Sequence, residues 1–136
     1  MRHRYLPSQR ITAALEVNRL AAVASFYSYN GVHLALDHEW RLPHGQYLLS
    51  HLGYAFRGYS GRNPLDGGGN DRRDHQFRAR VLYGVPILAL HAGLPRFFDR
   101  TALTASVEAT VNRSNVRNYD TTNWKFAVGI TKRFDF

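Results

Sequence analysis

The side chains best suited to chemistry lie between residues 33 and 51, where histidines alternate with acids. His33, Asp37 and Glu39 share odd-numbered positions of one segment, and His51 follows in the next. Imidazole and carboxylate groups together can bind a metal ion or exchange protons with a substrate. Residues four apart on a strand are separated by about 13 Å, so His33 and Asp37 cannot hold one ion between them. A site would need partners from neighbouring strands, and a hydrated network of opposite charges is the alternative interpretation.

A second group of side chains is basic. Arg78 and Arg80 alternate with apolar residues in one segment, and Arg57 ends the preceding one. Such residues on one face could form a positive strip that attracts anionic solutes or an acidic substrate segment, as charged rings set ion preference in pores. Pairing with acids of neighbouring strands, such as Glu108, is the competing interpretation.

Other chemical signatures are missing from the sequence. The glycine run at residues 67–69 lacks the Gly-Lys-Ser/Thr ending and the following helix of a phosphate-binding loop. There is no cysteine, and no serine, histidine and acid have the spacing of a catalytic triad. We therefore expect no catalytic, cofactor-binding or metal residue, and no enzyme.

The elements that carry these side chains alternate apolar and polar residues, which predicts strands with one face of each kind. No segment of comparable length has helical spacing. The prediction is an all-β fold, an antiparallel meander of about six long strands in a single segment that covers residues 1–136. The six strands are predicted at residues 9–19, 31–42, 47–59, 75–87, 101–113 and 123–136.

Composition narrows the class of protein. The 136 residues carry a net charge of +8, which raises nucleic-acid binding as a candidate, but the arginines are spread over many strands and we do not expect it. No run of about 18 apolar residues predicts a membrane helix, and the basic start has no apolar stretch of a signal peptide after it.

Alternation alone does not say which face is inside, because a soluble barrel and a membrane barrel share it. The predicted strands are about twice as long as the 5–6 residues usual in globular proteins. The turn at residues 43–46 is short, whereas the loops at 60–74 and 113–123 are long, as in outer-membrane barrels. Charged residues also keep to the polar faces. We therefore predict a transmembrane barrel in the bacterial outer membrane.

The closing stretch "NWKFAVGITKRFDF" is apolar at every even position except Lys132. It resembles the terminal strand of bacterial outer-membrane barrels, which ends on Phe and is read by the barrel-assembly machinery. The resemblance implies an insertion signal made of Trp124, Phe126, Val128, Ile130, Phe134 and Phe136.

A narrower resemblance rests on "GYAFRGYSG", "RRDHQFRARVLYG" and "SNVRNYD". These stretches are similar to the barrel of the surface lipoprotein assembly modifier family. Its most distinctive parts here are Arg72-Arg73-Asp74 and Ser114-Asn115 with Tyr119. The resemblance implies a barrel that assists transport of lipoproteins to the cell surface. The sequence departs from the family in having no helical-repeat region.

Six strands are too few to close a membrane barrel, since single-chain examples begin at about 8. We therefore expect the chain to be the C-terminal part of a larger barrel, completed by upstream strands or by self-association. Expected partners are outer-membrane lipid, the assembly machinery and a lipoprotein substrate. The polar residues predicted to face the lumen are Arg57, Arg78, Arg80, Glu108, Lys125 and Arg133. A general porin or autotransporter-type barrel, and a soluble basic barrel that binds a ligand or nucleic acid, remain open.

Overall fold

The computed structural model describes residues 2–6, 8–61, 71–90, 93 and 95–132. This part of the chain forms one antiparallel sheet of seven strands. The strands are β1 (Arg2–Leu6), β2 (Gln9–Leu20), β3 (Tyr29–Arg41), β4 (Tyr47–Tyr59), β5 (Arg73–Pro86), β6 (Thr101–Ser114) and β7 (Thr121–Lys132).

The six long strands confirm the predicted meander, with bounds that differ by a few residues. They form where apolar and polar residues alternate, because the period of two matches a pleated chain. The short strand β1 was not predicted. Its five residues, RHRYL, offer too little alternation, and only their pairing with β2 at Thr12 and Ile11 makes them a strand.

Each strand pairs only with its neighbours in the chain, in the order β1 to β7. The ladders are long and regular; that between β5 and β6 runs from Asp74 opposite Ser114 to Pro86 opposite Ala102. Within the described residues no ladder joins β1 to β7, so the sheet is not closed. No helix in the described part of the chain is long and apolar enough to cross a membrane.

The connection between β3 and β4 is the tight turn that the sequence predicts. Gln46 N–H donates to the Pro43 carbonyl at 3.3 Å and Leu42 N–H to the Gln46 carbonyl at 2.9 Å. Gly45 has a φ of 74°, which favours glycine because it has no Cβ.

The connection between β2 and β3 contains a 3-10 turn at Ser25–Tyr27, whereas Asn30 and Gly31 lie inside β3. Asn-Gly is a strong hairpin signal, but here the glycine serves another purpose. A Cβ at Gly31 would collide with the Asn18 side chain on β2 and stand 3.1 Å from the Phe56 carbonyl oxygen. Close approach of three strands, rather than a turn, accounts for this glycine.

The link between β5 and β6, residues 87–100, is not a simple continuation of the two strands around a turn. A helical turn, α1 (Ile87–Leu90), and a 3-10 turn at Arg96–Phe98 occupy it instead. Pro86 has no N–H for the ladder, which favours an end to the strand there. By hairpin parity this long link lies at the same end of the sheet as the turn after β3, so the expected contrast of short and long connections holds only in part.

The same link explains Lys132, the exception on the apolar face of β7. Its Nζ atom donates to the Phe97 carbonyl at 2.8 Å and stands 3.5 Å from the centre of the Phe97 ring. The ammonium group is therefore bound by backbone and ring at the end of the strand.

Within the described residues the sheet has no hydrophobic core. No apolar side chain there is buried, and the only buried polar residues are Asp74 and Thr101. Large apolar side chains are exposed instead, among them Val17 at 75%, Leu52 at 56% and Phe126 at 78%. The apolar face of the sheet therefore packs against no other part of the described chain.

Candidate functional site: the polar face of the sheet

The opposite face, which we call the polar face, collects the side chains that could do chemistry. Register places Thr12, Asp37, His51, Arg80, Glu108 and Lys125 in one row across β2 to β7. The successive rows on one side of it, toward the end of β4, carry Arg78, His33 and Arg57. The five predicted lumen residues that the structure describes therefore share one face. Arg133 lies outside the described residues.

Cross-strand pairing in this row is partial. The His51 Nδ1 atom is 2.7 Å from the Asp37 carboxylate. Glu108 is shared, because Arg78 Nε and Lys125 Nζ each lie 3.9 Å from its Oε1 atom. One carboxylate thus faces two cations, at distances too long for a hydrogen bond.

Two further arginines differ in whether they have an ion-pair partner. Arg10 on β2 is paired with Glu39 on β3, whereas Arg80 has no ion-pair partner in the part of the chain that the structure describes. Both interpretations of the arginines in the sequence therefore hold in part. Some charges cancel across strands, and positive charge remains beside Glu108.

A cleft of about 320 Å³ lies on the polar face around Gly53. Its lining includes small residues together with imidazole, guanidinium, amide and carboxylate groups. The residues that line it are Glu16, Asn18, Val32, His33, His51, Gly53, Ala55, Phe56, Arg57, Gln76 and Arg78. Gly53 had no assigned role in the sequence, where only its place two residues after His51, on the same polar face of the strand, could have drawn attention.

Arg72 is the centre of a second cluster, at the loop end of β4 and β5. Its Nη2 atom donates to Asp74 Oδ2 at 2.7 Å and to the Tyr59 hydroxyl at 2.7 Å. The guanidinium carbon is 3.9 Å from the centre of the Tyr59 ring and 3.7 Å from that of Tyr119. Asp74 itself is only 3% exposed. The cluster joins the ends of three strands.

Electrostatics within this cluster favour the charged arginine. Desolvation by burial lowers the pKa of Arg72, but the hydrogen bonds and charge of Asp74 outweigh it and leave the pKa above its ordinary value. The guanidinium of Arg72 therefore stays positively charged throughout the physiological pH range.

Asn115 links the two loops beside this cluster. Its Oδ1 atom accepts from Arg73 N–H at 2.7 Å, and its Nδ2 atom donates to the Asp71 carbonyl at 2.9 Å. Ser114 N–H donates to Asp120 Oδ1 at 2.7 Å in the same turn. The residues that are most distinctive in the sequence thus fix the loop ends, and Tyr119 packs on Arg72.

The residues of the predicted insertion signal lie on the apolar face where the structure describes them. Trp124, Phe126, Val128 and Ile130 are 60%, 78%, 78% and 70% exposed on β7. Phe134 and Phe136 fall outside the described residues. The role of the stretch as a signal stays a prediction.

No group of three or more metal-binding side chains comes together among the described residues. No protein-family model, no curated protein and no solved structure matches the chain. The argument for function therefore rests on the geometry of the two faces.

Proposed function

We propose that the chain is a sector of an outer-membrane β-barrel. Its apolar face lies against lipid and its polar face lines the lumen. In this proposal the strands cross the membrane, and the lumen conducts or guides a polar substrate.

One observation carries the proposal: the described residues include no buried apolar side chain. Hydrophobic burial is the main favourable term in the folding of a soluble domain, on the order of 10² kcal/mol. A sheet in which no apolar side chain is buried lacks most of that term in water. Hydrocarbon around the apolar face would supply it.

Strand length supports the same proposal. The long strands have 12 to 14 residues, and a tilted strand needs about 9–11 to cross the hydrocarbon. The charged pairs on the polar face are also compatible with a water-filled lumen. A soluble barrel would enclose the apolar face within a closed sheet. The described residues form neither a closed sheet nor a hydrophobic core, so they do not support that alternative.

The substrate is proposed from the resemblance alone. Similarity to the surface lipoprotein assembly modifier family favours transport or surface display of lipoproteins, with the barrel-assembly machinery as the partner for insertion. A general porin or an autotransporter-type barrel is the alternative.

The test is to express the chain with an export signal, separate the membranes and compare its gel mobility with and without heating. We expect it in the outer-membrane fraction, with a compact form that heating unfolds. A matched chain with Leu52→Arg should be lost from that fraction. A folded chain that stays in solution without detergent would contradict the proposal.

A further inference from the structure

We propose that the cleft around Gly53 binds an oxyanion between His33, His51 and the neighbouring arginines. This inference rests on the proposed function only in requiring that the polar face be open to water. It names the chemical class that the lumen face would bind, a carboxylate or phosphate group.

The first step concerns how His51 is oriented. Its Nδ1 atom is 2.7 Å from Asp37 Oδ1, and an ionised carboxylate can only accept a hydrogen bond. The proton therefore sits on Nδ1, and Asp37 holds the ring with its Nε2 atom directed away from the pair. Nε2 is the atom left for a ligand.

The second step is that the imidazole rings of His33 and His51 both approach Gly53. A Cβ on Gly53 would stand 3.1 Å from His51 Nε2, 3.6 Å from His33 Nε2 and 3.7 Å from Arg78 Cβ. By register Gly53 lies opposite Ala35 on one side and Arg78 on the other. The missing side chain opens a space toward which both Nε2 atoms are directed.

The third step is the charge around that space. Two guanidinium groups, Arg57 and Arg78, and one carboxylate, Glu16, line the cleft. Arg57 lies opposite Asp74, but that carboxylate is held by Arg72 at 2.7 Å, and no ion pair joins Arg57 to another described residue. Asp37, Arg80 and Glu108 add one positive and two negative charges beside these groups, and Glu108 Oε1 is 3.9 Å from Arg78 Nε. The formal charge is therefore balanced while both histidines are neutral, and their protonation makes the site favour an anion over a metal cation.

Protonation of the two histidines would strengthen the site. A protonated imidazole donates from both nitrogens, so each Nε2–H could bind the same oxyanion. The charged groups that face the two rings, or lie opposite them in the register, are Glu16 from β2, Asp37 from β3, Arg57 from β4, Arg78 and Arg80 from β5 and Glu108 from β6. Affinity for an anion should therefore be higher at acidic pH, where the imidazoles are protonated, than at alkaline pH.

The experiment uses inorganic sulfate, whose charge does not change over this range, and the full chain in whichever medium keeps it folded. Imidazole NMR signals are followed during sulfate titrations at about pH 5.5 and about pH 8. We expect the signals of His33 and His51 to move at the lower pH. Binding should be about tenfold weaker or more at the higher pH, as for the loss of a charged hydrogen bond.

Two variants make the assignment specific. His51→Gln should weaken sulfate binding by about tenfold at the lower pH, and it should reduce the pH dependence, of which His33 keeps a part. His38→Gln is the matched control, because His38 is on the same strand as His33 but on the opposite face. Circular dichroism of both variants checks that the sheet is retained.

Two further titrations identify the source of the anion. Competition between sulfate and a short glutamate-rich peptide would assign the site to carboxylates of a polypeptide. Binding of sulfate and inorganic phosphate without the peptide would assign it to small free oxyanions.

Equal affinity at both pH values, an equal effect of His38→Gln, or a response to zinc alone would overturn the inference. These outcomes are separable from failure of the membrane proposal. If the chain inserts into a membrane but does not bind sulfate, only the proposed anion site is wrong. If the chain is soluble and binds sulfate as described, only the membrane proposal is wrong.

Discussion

At the scale of single residues, Arg72 does the most to fix the loop end of the sheet. Its guanidinium combines the ion pair to Asp74 with contacts to two tyrosine rings. Sequence alone could single out the Arg-Arg-Asp motif but not its tyrosine partners. Tyr59 and Tyr119 lie on different strands or turns, and only the register of the ladders brings them to one arginine.

A test of this cluster compares Arg72→Lys with Arg73→Lys. Lysine cannot keep the fork to Asp74 or stack flat between two rings. We expect Arg72→Lys to lower the free energy of unfolding by about 1.5–3 kcal/mol, the range for hydrogen bonds to charged groups. Arg73 has an exposed side chain, so its lysine variant should have no measurable effect. Urea unfolding of the folded chain measures both, and equal effects would contradict the prediction.

Removing the acid should cost more than changing the base. Asp74→Ala would leave the Arg72 side chain, which is 17% exposed, without its anion. Breaking one partner of a buried pair costs about 3–5 kcal/mol. Asp71→Ala is the control, since Asp71 is exposed and only its backbone carbonyl is used by Asn115. A cost below that of Arg72→Lys would show that the pair contributes little.

At the scale of elements, alternation was enough to predict six strands and the face on which each side chain lies. The exceptions are local. The pattern could not supply β1, which is too short, or the helical turn after Pro86, where the ladder ends. It also could not choose between lipid and a protein interior, because both give the same period of two.

The two faces of β4 offer a direct test at this scale. Leu52 is on the apolar face and Leu49 on the polar face, where it lies opposite Glu39. An arginine that faces the middle of a bilayer costs about 2–4 kcal/mol. We therefore expect Leu52→Arg to impair insertion into detergent micelles or liposomes, while Leu49→Arg inserts normally. The reverse order, or equal loss of both, would place the apolar face elsewhere than in lipid.

At the scale of the whole molecule, the net charge of +8 says less than its distribution. Charge on the polar face cancels at Arg10 with Glu39, and the Asp37 carboxylate is hydrogen-bonded to His51. Positive charge is in excess around Arg78 and Arg80. The sequence predicted the face but not the balance, since pairing depends on the register of neighbouring strands.

The open ends of the sheet lead to a further prediction. β1 and β7 each have one edge without a partner among the described residues, and unpaired edges open first. Amide hydrogen exchange of the folded chain should be slowest in β3 to β6 and fastest in β1 and β7. Protection of β7 equal to that of β5 would indicate that another strand, from a second copy or a longer chain, covers this edge.

The strict neighbour-to-neighbour order of the meander makes the molecule a nearly one-dimensional system. Each inner strand is stabilised only by its contacts with its two neighbours, as repeats are in a solenoid. A damaged strand therefore weakens two interfaces and leaves the more distant ones intact. Hairpins could then be added or removed at either end with little effect on the ladders between them, so the number of strands can change while the registry of those already present is kept.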